Sequence, residues 1–216
     1  MSTAAVDHER ADIAGVRAPR PLLSPERERR LTERQRQVIE KLEALVVRGG
    51  LADQTMAQIA AAANCSLRTL YGIARSKDEL LLTIVDRRLQ RIGRAAITAI
   101  QPAMKPLDAL RVYLRAVNEA VQPTTAEFAR DFADLEGGGE LLDAHETYVI
   151  AIVRNLLERA VAEKQLVSID TTAVAHILGG LGREFSRPNV LGLIRRSPKE
   201  TADAMAEVIL RGLDLG

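Results

Sequence analysis

Hydroxyl and basic side chains stand at positions where the sequence predicts that helices begin: Thr55, Ser66 and Lys77. Such groups suit phosphate oxygens, because the free backbone N–H groups of a helix start also attract anions. Arg68 lies two residues after Ser66, and an arginine can form two parallel hydrogen bonds with the edge of a guanine. An alternative is that Thr55 and Ser66 only cap their helices and that Lys77 is an ordinary surface residue. The sequence leaves both interpretations open.

Residues that would support catalysis or metal binding do not occur at the spacings that such chemistry needs. His145 and Glu146 begin like a zinc metalloprotease helix, but the second histidine would fall at position 149, which is valine. The glycines within 179–182 do not follow a predicted strand, as a dinucleotide site requires. The single cysteine, Cys65, excludes an intrachain disulfide and leaves too little sulfur for a zinc cluster. We therefore expect no enzyme, no catalytic residue, no metal and no cofactor.

Two short helices with a two-residue break between them are predicted in the first third of the chain. Thr32 with Gln35 and Thr55 with Gln58 form capping boxes. The helix that begins at Thr55 is expected to end at Ala63, and the next to run over 66–73. This is the spacing of a helix-turn-helix, whose second helix enters the major groove of DNA. Asn64 suits the turn, because its short polar side chain tolerates the left-handed backbone conformation.

The composition predicts a helical protein with two domains. The chain has 216 residues and only 3% aromatics, and almost no stretch alternates apolar and polar residues as a half-buried strand would. Charges are scattered through the first thirty residues and no apolar run is long enough to span a bilayer, so we expect a cytoplasmic protein. After a helix that begins at the Ser76 cap, further helices are predicted near 107–121, 124–135, 140–164, 171–185 and 199–213.

The charge is distributed unevenly. The whole chain has a formal net charge of +1. From Arg27 to Arg91, however, thirteen basic residues face eight acidic ones, a net of +5, whereas 92–216 has fourteen against seventeen, a net of −3. The first of these regions therefore suits a polyanion such as DNA, and the second does not.

The helix-turn-helix region resembles the TetR family of transcriptional regulators. The resemblance covers about fifty residues and rests on Thr55, Ile59, Ala60, Ala63, Asn64, Cys65, Ser66, Thr69, Leu70 and Tyr71, followed by Ser76-Lys77-Asp78-Glu79-Leu80. It implies that Thr55, Tyr71 and Lys77 hold phosphates and that the start of the recognition helix, Leu67, Arg68 and Thr69, faces the groove, with Ser66 at its cap. The chain departs from the family where Gly72-Ile73-Ala74 replaces the usual aromatic or histidine pair, so Arg75 is a candidate for a substitute backbone contact.

The same resemblance implies an all-α architecture with an N-terminal three-helix DNA-binding domain and a C-terminal helical bundle for effector binding and dimerisation. We accordingly predict a disordered arm over 1–24, a helix-turn-helix domain over 25–75 and a ligand-binding and dimerisation domain over 76–216. The segment from Arg10 to Arg30 alternatively grips the minor groove, and a disordered surface segment is the other interpretation. The expected function is ligand-responsive regulation, as a repressor that a small hydrophobic effector releases from a palindromic operator.

Candidate residues for the effector site combine scarce aromatics with a few polar groups: Tyr113, Asn118, Phe128, Phe132, His145, Tyr148 and Ile152. Aromatics at helical spacing more often pack a core than bind a ligand, so core packing is the alternative for each of them. Apolar stripes on the last two long helices predict the homodimer interface, with Ile177, Gly180, Leu181, Met205, Ile209 and Leu213 as its candidates.

Two other classes of protein compete with a regulator. An enzyme with an active site inside the helical bundle would need a convergent set of catalytic residues, which the sequence does not contain. A helical interaction protein would use the apolar stripes only to bind other proteins, and salt-sensitive binding to DNA would eliminate it. An ordinary three-helix core with a solvated basic face is the corresponding alternative for the helix-turn-helix region itself.

Overall fold

The computed structural model describes residues 16–46, 51, 53–121, 125, 128, 130, 132 and 134–214. Across these residues the regular structure is helical, apart from one isolated antiparallel bridge between Leu166 and Asp214. The expected all-α class is therefore confirmed. A search of the same residues for a helix long and apolar enough to cross a bilayer finds none.

The described residues form two compact units. The helix-turn-helix unit lies within 20–90 and 123–142, and the bundle unit lies within 1–19, 91–122 and 143–216. These units divide the chain differently from the predicted boundary at 75/76, because residues 76–90 and part of 123–142 belong with the first unit.

In chain order the helices are α1 (Pro25–Arg30), α2 (Glu33–Val46), α3 (Met56–Ala62), α4 (Leu67–Tyr71), α5 (Lys77–Ala99), α6 (Pro106–Val117), the 3-10 helix Asn118–Ala120, α7 (Gly138–Ala162), α8 (Thr171–Phe185), α9 (Pro188–Leu191) and α10 (Pro198–Leu213).

The helix-turn-helix unit packs around the apolar faces of α2, α3, α4 and α5. Val38, Ile39 and Leu42 on α2 are fully buried, as are Ile59 on α3 and Leu70 on α4. The capping box of α2 forms as predicted, since the Thr32 N–H donates to Gln35 Oε1 at 2.8 Å. The sequence predicts that this helix ends at Gly49-Gly50, and these two residues lie outside the described residues.

The bundle unit packs α6, α7, α8 and α10 around buried residues such as Leu110, Ile152 and Leu178. Helix α8 has the predicted bounds, and its start is capped by Asp170, which accepts a hydrogen bond from the Ala173 N–H at 3.0 Å. Helices α7 and α8 approach closely at Gly179, where a Cβ atom would lie 2.7 Å from Cγ1 of Ile150.

Two short helices, α1 and α9, are absent from the sequence predictions. From the sequence, Pro25 and Pro188 are expected to interrupt helices, but in the structure they are the first residues of α1 and α9. Proline is favoured at that position, because its fixed φ is helical and its missing N–H would have no intrahelical acceptor. A proline thus marks a helix start here rather than a break.

Within the segment 1–24, which the sequence predicts to be a disordered arm, the described residues pack against other parts of the chain. Leu23 is buried in the core of the helix-turn-helix unit, and the Leu22 N–H donates to a carboxylate oxygen of the buried Asp86 at 2.8 Å. Val16 and Ala18 pack against the core of the bundle unit. These contacts connect positions far apart in sequence, which composition cannot reveal. Residues 1–15 lie outside the described residues.

Candidate nucleic-acid interface

Helices α3 and α4 each begin with a hydroxyl cap. The Thr55 Oγ1 accepts from the Gln58 N–H at 3.3 Å, and Gln58 Oε1 accepts from the Thr55 N–H at 2.8 Å. Ser66 Oγ accepts from the Thr69 N–H at 3.1 Å and lies 2.9 Å from Thr69 Oγ1. Both caps are exposed. Thr55 and Ser66 therefore cap their helices, and contact of these residues with DNA stays a prediction.

The turn between α3 and α4 has the left-handed residue that the sequence predicts. Asn64 has φ of 53°, and the Cys65 N–H donates to the Ala60 carbonyl at 2.8 Å. The Cys65 side chain packs half-buried against the core, and this burial raises the pKa of its thiol. The Arg34 guanidinium of α2 donates to the Asn64 carbonyl and holds the turn from outside.

Replacement of Asn64 tests whether this left-handed conformation limits stability. Asn64→Ala is expected to lower the free energy of unfolding by about 1–2 kcal/mol, because a Cβ without a local polar group disfavours positive φ. Asn64→Gly is expected to stay within about 0.5 kcal/mol of the wild type, because glycine adopts this conformation readily. Urea unfolding followed by circular dichroism measures both variants. Equal losses for the two would contradict the left-handed assignment.

Helix α4 buries one face and exposes the other. Leu70 is fully buried, whereas Leu67 and Tyr71 are 42% and 54% exposed and Arg68 is also exposed. Thr69 is half-buried. Residues 67, 68 and 71 share one side of a helix, because 3.6 residues make one turn. The structure therefore brings the predicted groove-facing residues Leu67 and Arg68 together with Tyr71 on the outer face.

Lys77 opens α5 and is half-buried. The preceding Ser76 Oγ caps this helix by accepting from the Glu79 N–H at 3.0 Å. Arg75, the candidate for a substitute phosphate contact, has an exposed side chain, and its backbone N–H donates to Glu79 Oε2 at 2.7 Å. The Arg75 side chain is therefore exposed in the segment between α4 and α5.

The departure from the family pattern at Gly72-Ile73-Ala74 has a packing explanation. Ile73 and Ala74 are buried in the core. A Cβ atom on Gly72 would lie 2.5 Å from Nε2 of Gln35, the residue that also caps α2. The end of the Gln35 side chain therefore occupies the space beside the exposed Gly72, whereas Ile73 and Ala74 pack inward.

Two arginines that the sequence does not single out, Arg34 and Arg27, hold this region. Arg34 reaches the Asn64 carbonyl across 30 residues, and Arg27 reaches the Ile73 carbonyl across 46. Neither contact has a local sequence signal. Only the net charge of +5 in this region hinted that its basic residues have a role.

The residues predicted for an effector site are divided between the two units. Tyr113, Tyr148 and Ile152 are buried together in the core of the bundle unit, whereas Phe128 and Phe132 stack at 5.5 Å in the helix-turn-helix unit. Phe128 and Phe132 thus pack with the core of the helix-turn-helix unit, and contact of these aromatics with an effector stays a prediction.

Three polar candidates differ in their surroundings. Asn118 is buried, and its Nδ2 donates to Asp203 Oδ1 at 2.8 Å. His145 is half-buried. The Tyr113 hydroxyl is fully buried without a hydrogen-bond partner among the described residues, and burial raises the pKa of this group. Ligand contact stays a prediction for all three.

The predicted dimer residues lie on α8 and α10, which pack against each other. Ile177 is 55% exposed and Met205 is also exposed, whereas Gly180, Leu181, Ile209 and Leu213 are half-buried. Val208 of α10 is 65% exposed, although it is not among the predicted interface residues. An open groove of about 540 Å³ on α8 is lined by Ile177, Gly180 and Leu181 with Glu146, His176, Arg183, Glu184 and Arg187. No group of three or more metal-binding side chains occurs in the described part of the chain.

Compared by sequence, the chain matches no protein-family model and no curated protein. Solved structures nevertheless match its fold over most of its length. A TetR-family regulator from Agrobacterium tumefaciens has a TM-score of 0.65 at 18% identity, over 84% of this chain and 97% of the other. The TetR-family regulator PfmR from Thermus thermophilus has a TM-score of 0.59 at 23% identity, over 82% and 98%.

A third similar structure is that of AibR in complex with isovaleryl coenzyme A and operator DNA, with a TM-score of 0.59 at 19% identity over 82% of this chain and 97% of that one. The fold is thus that of TetR-family transcriptional regulators. The structural similarity includes the bundle unit as well as the helix-turn-helix region, because it covers 82–84% of this chain.

Proposed function

We propose that this protein is a sequence-specific DNA-binding transcriptional regulator rather than an enzyme. The observation that carries the proposal is the outer face of α4, where Leu67, Arg68 and Tyr71 stand exposed on a short helix whose inner face is anchored by the buried Leu70. A helix placed in this way after a left-handed turn can enter the major groove. The net charge of +5 in this region adds attraction to the DNA backbone.

Each side chain has a role that its chemistry suits. Arg68 reads a guanine edge with two hydrogen bonds, and Leu67 offers an apolar contact to a thymine methyl group. Thr55, Tyr71 and Lys77 hold phosphates with two hydroxyls and an ammonium group. Ser66 and Thr69 fix the first turn of α4 through their mutual contact at 2.9 Å, so that the base-reading residues start from a rigid helix end.

The regulator acts as a homodimer in this proposal. Ile177 on α8 and Met205 and Val208 on α10 are exposed apolar residues on two helices that pack side by side. A two-fold pairing of such helices would bury these side chains. Two recognition helices held about 34–36 Å apart would then read the two halves of a palindrome.

A small hydrophobic effector that releases a repressor from its operator is the last part of the proposal. The bundle unit supplies a mostly apolar interior with the buried Tyr113 hydroxyl inside it, which suits an apolar ligand that offers one hydrogen-bond acceptor. The complex of AibR with isovaleryl coenzyme A and operator DNA supports this arrangement by analogy of fold. The proposed compartment is the cytoplasm.

A DNA titration with wild-type protein and a Tyr71→Ala variant tests the proposed function. The wild type is expected to bind a palindrome in the DNA that flanks its own gene, saturably and more weakly at higher salt. Tyr71→Ala is expected to bind this site about 10- to 150-fold more weakly, because a hydrogen bond to a charged phosphate contributes about 1.5–3 kcal/mol. Fluorescence anisotropy at two salt concentrations measures both.

Tyr71→Phe is the matched control, because it removes the hydroxyl and keeps the ring. It should lose affinity like Tyr71→Ala if the phosphate contact is the cause. A folded wild-type protein that binds neither this DNA nor any sequence from a genome-wide selection would contradict the proposed function and favour a helical interaction protein.

A further inference from the structure

Helix α1 carries an arginine that joins the two ends of the α4–α5 connection. Arg27 Nη2 donates to the carbonyl oxygen of Ile73 at 3.0 Å, and Arg27 Nη1 lies 3.3 Å from Glu79 Oε1. Ile73 follows the end of α4, and Glu79 lies in the first turn of α5. One guanidinium thus contacts the segment that leaves the recognition helix and the helix that receives it.

The Glu79 carboxylate extends this contact to the backbone. Its Oε2 accepts from the Arg75 N–H at 2.7 Å while its Oε1 faces Arg27. The hydrogen bond from Arg75 and the nearby Arg27 lower the pKa of Glu79, so the carboxylate is charged at neutral pH. The Arg27–Glu79 pair therefore contacts the connection between α4 and α5 at two points. Arg27 binds the Ile73 carbonyl, and Glu79 accepts from the Arg75 N–H.

Helix α1 itself is anchored, so that Arg27 acts from a fixed base. Glu28, the next residue, pairs with Arg87 of α5. On either side of α1, the buried side chains of Leu23 and Leu31 pack in the core of the helix-turn-helix unit. The Leu22 N–H donates to Asp86 of α5. These contacts tie α1 to α5 about two turns beyond Glu79.

We propose that Arg27 is a positioning residue for DNA recognition, which sets the orientation of α4 by clamping its exit to α1 and α5. The proposal rests on the proposed function. Arginine suits this role because its planar fork contacts a carbonyl and a carboxylate at once, which the single ammonium group of lysine does not reproduce. The Arg27 side chain is 47% exposed, and exposed ion pairs contribute little to stability. The main effect of the clamp is therefore on orientation.

The test compares Arg27→Ala and Arg27→Lys with Arg29→Ala. Arg29 is an exposed arginine of the same helix, so its replacement removes the same charge without touching Ile73 or Glu79. Hydrogen exchange of residues 72–79 is measured in the free protein. Affinities for the operator and for random DNA of equal length are measured over a range of salt concentrations.

Arg27→Ala is expected to accelerate amide hydrogen exchange over 72–79 about 10-fold. Without Arg27, the local opening that permits exchange no longer has to break the contacts of the clamp, so it costs less free energy. Operator affinity should fall about 10-fold, corresponding to the contribution of one such hydrogen bond, while random-DNA affinity changes less than about 2-fold. Arg27→Lys should recover only part of the loss. Arg29→Ala should leave exchange unchanged, and the melting temperature of each variant should stay within about 2–4 °C of the wild type.

Three results would overturn the proposal. Unchanged exchange in Arg27→Ala would show that the clamp does not hold the connection. Equal losses on operator and random DNA, with a salt slope reduced by about one, would make Arg27 a phosphate contact instead. A wild-type protein without selective DNA binding would refute the proposed function and with it the role in recognition, while the exchange data would still report on the clamp alone.

Discussion

Leu70→Ala is expected to lower the free energy of unfolding by about 2–5 kcal/mol, the cost of a cavity at a fully buried leucine. Leu70 is the buried residue of α4 and packs in the core with Ile59 and Leu42. Its loss should loosen α4 from the helices beneath it, so DNA binding should fall with the folded fraction. Urea unfolding at a fixed protein concentration, followed by circular dichroism in the far ultraviolet, measures the effect.

Leu67→Ala on the same helix is the matched control. Leu67 is 42% exposed, so its truncation is expected to change stability by less than about 0.5 kcal/mol. It should nevertheless weaken operator binding if it contacts a thymine methyl group. Equal destabilisation by the two variants would contradict the orientation of α4, because the outward and inward faces would then be indistinguishable.

Arg68→Ala is expected to remove sequence preference at one base pair of each half-site. A bidentate arginine–guanine contact contributes about 1–3 kcal/mol of discrimination, so the preference for guanine there should fall about 5- to 150-fold. The side chain of Arg68 is exposed on the outer face of α4 beside Tyr71, so its truncation should leave the fold intact. Competition between operators that carry each of the four bases at each position measures the change.

Lys77→Ala provides the contrast for Arg68→Ala. A phosphate contact carries no sequence information, so this variant should weaken binding to all operators alike and reduce the salt slope by about one. Loss of base preference in Lys77→Ala, or a uniform loss in Arg68→Ala, would exchange the roles assigned to the two residues. A mutant with unchanged operator binding would exclude its residue from the interface.

The local signals in the sequence are sufficient for most helix starts and for the turn. The capping boxes at Thr32, Thr55 and Ser197 form hydrogen bonds within three residues. The left-handed conformation of Asn64 likewise depends on its own short side chain. Such features are set by neighbours along the chain, so they can be read before the fold is known. The helical periodicity of the core faces belongs to the same class.

Contacts between distant segments cannot be read in this way. Periodicity predicts that a face is buried but not which helix covers it. The sequence therefore does not reveal that Phe128 and Phe132 pack with the core of the helix-turn-helix unit while Tyr113 and Tyr148 pack in the bundle unit. In the sequence, Pro25 and Pro188 look like residues that end a helix. Whether a proline ends one helix or begins the next depends on the residues that follow it. The same limit applies to Asn118, whose amide is engaged by Asp203 across 85 residues.

The all-α class, the α3–turn–α4 motif and the hydroxyl caps follow from the sequence alone, because hydrogen bonds within one helical turn and the helical period of apolar residues are local properties. Three features follow only from the packing of distant segments: the outer face shared by Leu67, Arg68 and Tyr71, the position of Gln35 beside Gly72, and the contact of Arg27 with the exit of α4. These outcomes depend on side chains brought together from distant parts of the chain, and their free energies arise only once the core has fixed the helices that carry them.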